Sequence, residues 1–257
     1  MSGRIFLANV GANASHRFAG PIFADCSFEF LPIPENPDLT GPYAVRYRDL
    51  FSYYDPGRNL TKYVPERLWA HAAHSDPEFQ TFTYGDNCDW SPRASALKGM
   101  EIGDFLFFLA RLERWTGARP ARTYGFYLVG YLEVETVARS VQVHPSEEVM
   151  TRIRANAHVR RGLSDAALWD GFWVFAGSAR SRRFERAVPV DRRIASAVFT
   201  SAKGWPWRWE GGRSVLQVIG SYTRSCRCVI NPSLPGHADR ADIFWEWVDR
   251  HSGTDRS

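Results

Sequence analysis

Two runs of β-forming residues separated by a short turn constrain this chain more than any other feature. Gly103-Asp-Phe-Leu-Phe-Phe-Leu-Ala-Arg-Leu112 and Tyr124-Gly-Phe-Tyr-Leu-Val-Gly-Tyr-Leu-Glu-Val-Glu135 are dense in Phe, Tyr, Leu and Val, and the residues between them are rich in Arg, Gly and Pro. Aromatic and β-branched side chains favour a pleated surface, and a Gly/Pro turn folds one strand back on the other, so the pair reads as antiparallel.

Around that pair the pattern alternates between strands and short helices. A strand over Arg4–Val10 runs into the small-residue loop Gly11-Ala-Asn-Ala-Ser-His16, which delivers polar groups to a sheet edge, where sites are commonly built. Phe28–Pro34 reads as an alternating strand stopped by proline, and 66–74 as a short helix broken by His74-Ser-Asp-Pro-Glu-Phe79. Arg93–Lys98 suggests a helical turn. Ser146 caps a helix through Ala155, with Glu147 and Glu148 in its first turn, and Asn156-Ala-His-Val-Arg-Arg161 ends it. Asp170–Gly177 and Ser214–Thr223 are further strands, Trp205-Pro-Trp-Arg-Trp209 is a loop, and Ala241–His251 is a closing amphipathic helix. The Pro- and Gly-rich stretch from Pro34 to Pro65 carries Tyr43, Tyr47, Tyr53, Tyr54 and Tyr63, rings that make it ordered though irregular. With no fixed-period repeat and no linker, the expectation is one α+β domain over 1–257 with a mixed or antiparallel sheet and flanking helices.

A 44% hydrophobic, 14% aromatic and 23% charged composition excludes a disordered or collagen-like chain. No stretch approaches the roughly 18 apolar residues of a membrane span, and the N-terminus has no apolar leader, so a soluble, cytoplasmic protein is expected. Four cysteines, Cys26, Cys88, Cys226 and Cys228, are too few and too scattered for a disulfide framework or a four-thiolate zinc site. Cys226 and Cys228 read as ordinary thiols, with a metal role as the alternative.

The net charge of +4 conceals an asymmetry. Residues 150–213 hold twelve Arg and one Lys against five acids, a net +8, which leaves −4 for the rest. Such a segment is the electrostatic footprint of a phosphate-backbone binder, and Trp173, Trp205, Trp207 and Trp209 lie among its arginines. Arg160, Arg161, Arg180, Arg182, Arg183 and Trp207 are the expected DNA contacts, against the alternative of a solvated face with local ion pairs. The preference for Arg over Lys, 29 to 3, suits bidentate phosphate recognition, but a GC-rich genome yields the same bias.

Several blocks then combine in order and spacing over roughly the first 135 residues. Ile5-Phe-Leu-Ala-Asn-Val-Gly-Ala-Asn-Ala-Ser15, Gly20-Pro-Ile-Phe23, Leu31-Pro-Ile-Pro34, Tyr47-Arg-Asp-Leu50, Ala73-His-Ser-Asp-Pro-Glu78 and Gly103-Asp-Phe-Leu-Phe-Phe108 resemble the nucleotide modification associated domain 3 family. Gly103-Asp104 with its apolar strand and Leu128-Val-Gly-Tyr-Leu-Glu-Val134 carry a fainter likeness to the EVE and PUA-like barrels that cradle a flipped base, with Phe172-Trp-Val-Phe-Ala-Gly-Ser178 as a further barrel strand, which makes a PUA-like barrel the alternative fold. The resemblance implies recognition of, or action on, DNA bearing hypermodified bases. Its leading implication is a phage-defence DNA glycosylase that removes glucosylated hydroxymethylcytosine, with double-stranded modified DNA as partner and no cofactor or metal.

Base excision needs a carboxylate near the sugar, donors for the leaving base, and a basic surface for the strand. Asp76 and Glu78 beside His74, and Asp86 after Tyr84-Gly85, are the candidate carboxylates, with a turn or capping role as the alternative for Asp76. Asn13 joins them as a water-positioning residue, and Asn9, His16, His74, Tyr84 and His158 form the candidate base-binding set. With no lysine in these blocks, a hydrolytic reaction fits better than a Schiff-base lyase. Two alternatives remain: a non-catalytic modified-base reader, and an iron oxygenase in which His74-Ser-Asp76 is completed by His144 or His158.

Overall fold

The two β-rich runs form the longest ladder in the molecule. The structure, a computed structural model, describes residues 3–201 and 203–253. In chain order its strands are β1 (Ile5–Val10), β2 (Pro21–Ile22), β3 (Ile33–Pro34), β4 (Ala73–His74), β5 (Thr83–Asp86), β6 (Phe105–Thr116), β7 (Arg119–Val141), β8 (Phe172–Gly177), β9 (Arg182–Pro189) and β10 (Arg227–Ile230). The α-helices are α1 (Glu147–Ile153), α2 (Ala157–Ser164), α3 (Arg192–Val198), α4 (Val215–Tyr222) and α5 (His237–Ser252).

β6 and β7 pair antiparallel from Phe105↔Glu133 to Thr116↔Arg119, as their composition requires. β1 inserts on the other side of β6, parallel to it, from Ile5↔Phe105 to Val10↔Ala110. The main order is β10-β1-β6-β7-β8-β5, with β2 also on β6 and β9 also on β7, while β3 and β4 form a separate pair. Ile5–Ala8 and Phe105–Ala110 are buried without alternation, the signature of strands covered on both faces. On one face Phe107 meets Phe244 and Trp245 of α5, at 4.8 and 5.1 Å between ring centroids. On the other, Phe108 meets Phe79 and Tyr84, each at 5.7 Å. The period-2 alternation of β6 therefore ties α5 to one face and the segment around Tyr84 to the other.

This is the α+β fold with a mixed sheet that the pattern suggested. The barrel alternative is corrected: among the described residues the sheet is open, ending at β10 and β5. Local expectations also change. Ser214–Thr223 is a helix, because Ser214 Oγ accepts the Gln217 N–H at 3.2 Å while Gln217 Oε1 accepts the Ser214 N–H at 2.8 Å. This reciprocal cap overrides the β preference of Val215, Val218 and Ile219. Residues 66–74 hold only a 3₁₀ turn at Glu66–Leu68 before extending into β4, which pairs with β3. Within 28–34 only Ile33–Pro34 is a strand, because Glu29 turns inward to accept hydrogen bonds from the Ser52 hydroxyl and Tyr53 N–H. Asn156 does not end a helix but starts α2, its side-chain oxygen accepting the His158 N–H at 3.0 Å.

The irregular segment is ordered by its rings: Tyr47 and Tyr63 join Leu60, Val64 and Leu68 in a second core. Among the described residues no helix is long and apolar enough to cross a membrane.

Two expected DNA contacts are buried. Trp207 is 3% exposed, stacks on Tyr222 at 4.7 Å and donates its indole N–H to the Thr200 carbonyl at 3.0 Å. The Arg183 guanidinium lies over the rings of Phe28, Tyr53 and Tyr54 and bonds the Phe28 carbonyl at 3.2 Å. Both hold the fold together, since a desolvated side chain with its donors committed is closed to a DNA strand. Trp207→Ala is expected to cost about 3–5 kcal/mol, whereas Trp205→Ala, at a side chain 70% exposed, stays within about 0.5 kcal/mol of the parent. Urea unfolding midpoints of the two variants check this contrast.

Candidate functional site

A cavity of about 390 Å³ opens where four segments converge. The loop after β1 contributes Gly11, Asn13 and His16, the β3–β4 pair Glu35 and His74, β5 Tyr84 to Asp86, and α2 His158 and Arg161. Asn9 of β1, together with Arg93, completes the rim.

Each polar group has a structural reason for its place. β4 ends at His74, in register with Ile33, and the chain that leaves β3 one residue later presents Glu35 to the His74 ring. Glu35 Oε2 lies 2.9 Å from His74 Nδ1, and Arg161 Nε lies 3.5 Å from Glu35 Oε1. Two residues on, Asp76 Oδ2 accepts the Gly85 N–H at 2.7 Å, which anchors the 74–76 segment to β5. Asn156 caps α2 and also donates to the Thr83 hydroxyl at 3.3 Å, so the first turn of α2 is pinned to the start of β5 with His158 pointing at Asp76.

The result is a tight group. His74 Nε2 and His158 Nε2 lie 3.9 and 3.7 Å from Asp76 Oδ2, and the two imidazoles meet edge to face at 4.8 Å. Asp76 Oδ1 and His158 Nδ1 are buried without a hydrogen-bond partner. Burial pushes the Asp76 carboxyl well above the usual range, partly opposed by the Gly85 N–H and reinforced by the charge of Asp86. Burial, with His74 and Arg161 nearby, pushes His158 well below the ordinary imidazole value. A neutral imidazole beside a carboxyl that resists ionisation is what desolvation imposes on such a group. Asp86 is also raised, mainly by burial, although its oxygens accept the Asn87 N–H at 2.8 Å and the Tyr84 hydroxyl at 3.1 Å.

Of the residues singled out in the sequence, Asn9, Asn13, His16, His74, Asp76, Tyr84, Asp86, His158 and Arg161 line this one cavity. Asn13 is committed to structure, its side-chain oxygen accepting the Ser15 N–H and hydroxyl at 3.0 and 2.8 Å. His16 Nδ1 accepts the Asn13 N–H at 3.2 Å, and burial lowers its pKa. Glu78 lies elsewhere. Its carboxylate closes a turn onto the N–H groups of Gln80 and Thr81, and with Arg160 and Arg183 it lines a neighbouring groove. Arg180 pairs with Glu133 at 3.1 Å, and Arg182 is turned onto the carbonyls of Ala179 and Ser181. His144 is exposed beside Trp169, away from the cavity, so of the two histidines weighed as partners for His74 and Asp76 only His158 reaches them.

Four contributors escaped sequence reasoning: Glu35, Gly85, Arg93 and Asn156. The Asn-x-His start of α2 was a legible capping signal. Glu35, at the end of a proline-bounded strand, had no local signal, because its partner His74 is 39 residues away.

The family model described as nucleotide modification associated domain 3 matches residues 4–206. The chain belongs to this family. The matched span contains every residue that lines the cavity, so the nucleotide modification associated domain includes the whole site. No curated protein and no solved structure matches the chain. Membership sets the protein in the context of nucleotide modification, a setting compatible with an enzyme.

Gly85 is the residue whose replacement tests this arrangement. A Cβ there would stand 2.6 Å from the His158 ring, 2.8 Å from Asn156 Oδ1 and 3.2 Å from Asp76 Oδ2, whereas at Gly99 it would meet nothing within 4 Å. Gly85→Ala is expected to destabilise the chain by about 1–3 kcal/mol, and Gly99→Ala to lower its melting temperature little or not at all. Calorimetry of the two variants makes the comparison.

Proposed function

We propose that the cavity receives one modified base rotated out of duplex DNA and that the protein hydrolyses its N-glycosidic bond, leaving an abasic site. The observation that carries this reading is the Asp76 carboxyl, which lines a cavity at the small end of ligand pockets with one oxygen fixed by the Gly85 N–H and the other buried beside it without a hydrogen bond. An orphaned carboxylate oxygen in a polar cavity is where an attacking water would be held. Membership of the nucleotide modification associated domain family supports a modified nucleotide as substrate.

In this reading the ionised form of Asp76 orients the water and takes its proton, the raised pKa making that carboxylate the stronger base. The water oxygen bonds to C1′ as the C1′–N bond breaks, and the electron pair leaves with the base, which is protonated by Asp86. Burial suits Asp86 to that task by holding its carboxyl above the usual range. Asn9, His16 and Tyr84 face the base, and Arg93, whose guanidinium is exposed apart from a 2.8 Å bond to the Asn9 carbonyl, faces the strand. The basic character of residues 150–213 enters here through Arg161 rather than through a continuous arginine surface.

Duplexes carrying glucosylated hydroxymethylcytosine, incubated with the protein and then cleaved in alkali, test the reaction. Strand breaks are expected on the modified duplex and not on the unmodified one. Asp76→Asn and Asp86→Asn should each slow the reaction by about 10²- to 10⁴-fold with binding retained. Binding of the modified duplex without breaks would remove the hydrolysis and leave base recognition. Arg93→Ala should weaken binding to modified and unmodified duplexes alike and reduce the salt dependence by about one phosphate contact, read from affinities across a salt series.

A further inference from the structure

We propose that His74, Asp76 and His158 bind one divalent transition-metal ion of the zinc and iron class, with Glu35 as the residue that positions His74. The three side chains come from the end of β4, the loop after it and the first turn of α2, and one ligand atom from each lies within 4.8 Å of the others.

The hydrogen-bond pattern gives this cluster its direction. Glu35 Oε2 accepts from His74 Nδ1 at 2.9 Å, which places the ring proton on Nδ1 and leaves the Nε2 lone pair facing Asp76. From the other side His158 turns its Nε2 to the same carboxylate at 3.7 Å. Neither imidazole nitrogen makes a hydrogen bond to Asp76 at these distances. Two imidazole nitrogens thus face Asp76 Oδ2, which also accepts the Gly85 N–H, and a cation among the three would hold them together. A carboxylate behind the ligating histidine is the usual support of a metal-bound imidazole, fixing its tautomer and raising its basicity. The unpartnered Asp76 Oδ1 is a second, independent sign of a ligand held at this point.

Bonds of about 2.0–2.2 Å to histidine nitrogen and carboxylate oxygen set neighbouring ligand atoms of one ion roughly 3–3.5 Å apart. The observed 3.7 and 3.9 Å exceed this slightly and the widest separation, up to 4.8 Å, exceeds it further, so side-chain rotations must draw the two imidazoles together. Two imidazoles and a carboxylate suit zinc, iron or cobalt, and the hard, oxygen-seeking calcium and magnesium fit them poorly. With three protein ligands the ion keeps a position open, and the cavity wall of Asn9, His16 and Asp86 faces it. At that position the ion would supply Lewis-acid chemistry, lowering the pKa of the water assigned above to Asp76.

The full-length chain, stripped with a chelator and titrated with Co²⁺, tests the site directly. The expected result is uptake of one ion per chain with ligand-field bands in the visible. His74→Ala and His158→Ala should abolish stoichiometric uptake, Glu35→Gln should weaken it by about 10- to 100-fold, and His144→Ala, outside the cavity, should leave it unchanged. Failure of the unaltered chain to take up one ion overturns the proposal, whatever the variants do. So does unchanged uptake in folded His74→Ala and His158→Ala. The inference rests on the cavity as the chemical centre and not on glycosidic hydrolysis. Cobalt uptake without abasic sites keeps the metal centre and removes the hydrolysis, whereas abasic sites from a chain that takes up no cobalt do the reverse.

Discussion

The rest of the molecule depends on one strand being shared by three neighbours. β7 runs for 23 residues, pairs with β6 and β9 along its first part, and passes through bulges to pair with β8 along its last. Those irregularities bend it, as an extra residue in a ladder does, so one strand serves two parts of the sheet. β8 then carries β5, and β6 carries β1. β1 and β5, two of the segments that line the cavity, are thus bonded, directly or at one remove, to the β6–β7 ladder, while the β3–β4 pair stands apart from that sheet. The cavity opens between the C-terminal ends of β1 and β5, so its shape is fixed by the most deeply buried part of the fold.

Buried charge is the second organising theme. Glu29 and Arg183 on one side, and Glu35, Asp76 and His158 on the other, are nearly free of solvent. The first pair is fully provided for. Ser52 and Tyr53 donate to Glu29, and aromatic rings cover Arg183, so the group rigidifies the tyrosine-rich segment against β9. The second is only partly provided for. Its unpartnered atoms lie beside an open cavity, and that contrast separates a structural polar cluster from a chemical one. Desolvated groups are costly to retain in a fold that gains nothing from them, and here they belong to a domain whose family is associated with nucleotide modification.

The strongly basic segment acquires a different meaning in three dimensions. Its arginines are dispersed among separate tasks: Arg183 packs under tyrosines, Arg180 and Arg152 pair with Glu133 and Glu135, and Arg161 approaches Glu35. Two of the four tryptophans among them are internal, Trp173 bonded to Asp89 and Trp207 stacked on Tyr222. A charge excess counted along the chain therefore overstates the positive surface, because ion pairing is decided by neighbours in space.

The sequence by itself determined the parts of the fold that depend on local chemistry. The antiparallel ribbon follows from two β-rich runs around a turn, the first strand and its polar loop from Ile5–His16, and the closing helix from its amphipathic spacing. It also marked most of the cavity, since Asn9, His16, His74, Asp76, Tyr84, Asp86 and His158 are chemically capable residues at strand ends and chain breaks. Side-chain partnerships decided the rest. Ser214 and Gln217 turned a β-rich run into a helix, and Asn156 turned an expected helix end into a helix start. Only the tertiary structure set Glu78 apart from Asp76, two residues away, and brought His158 to Asp76 from 82 residues off and Glu35 to His74 from 39, because burial and lone-pair direction belong to the packed molecule and not to the order of its residues.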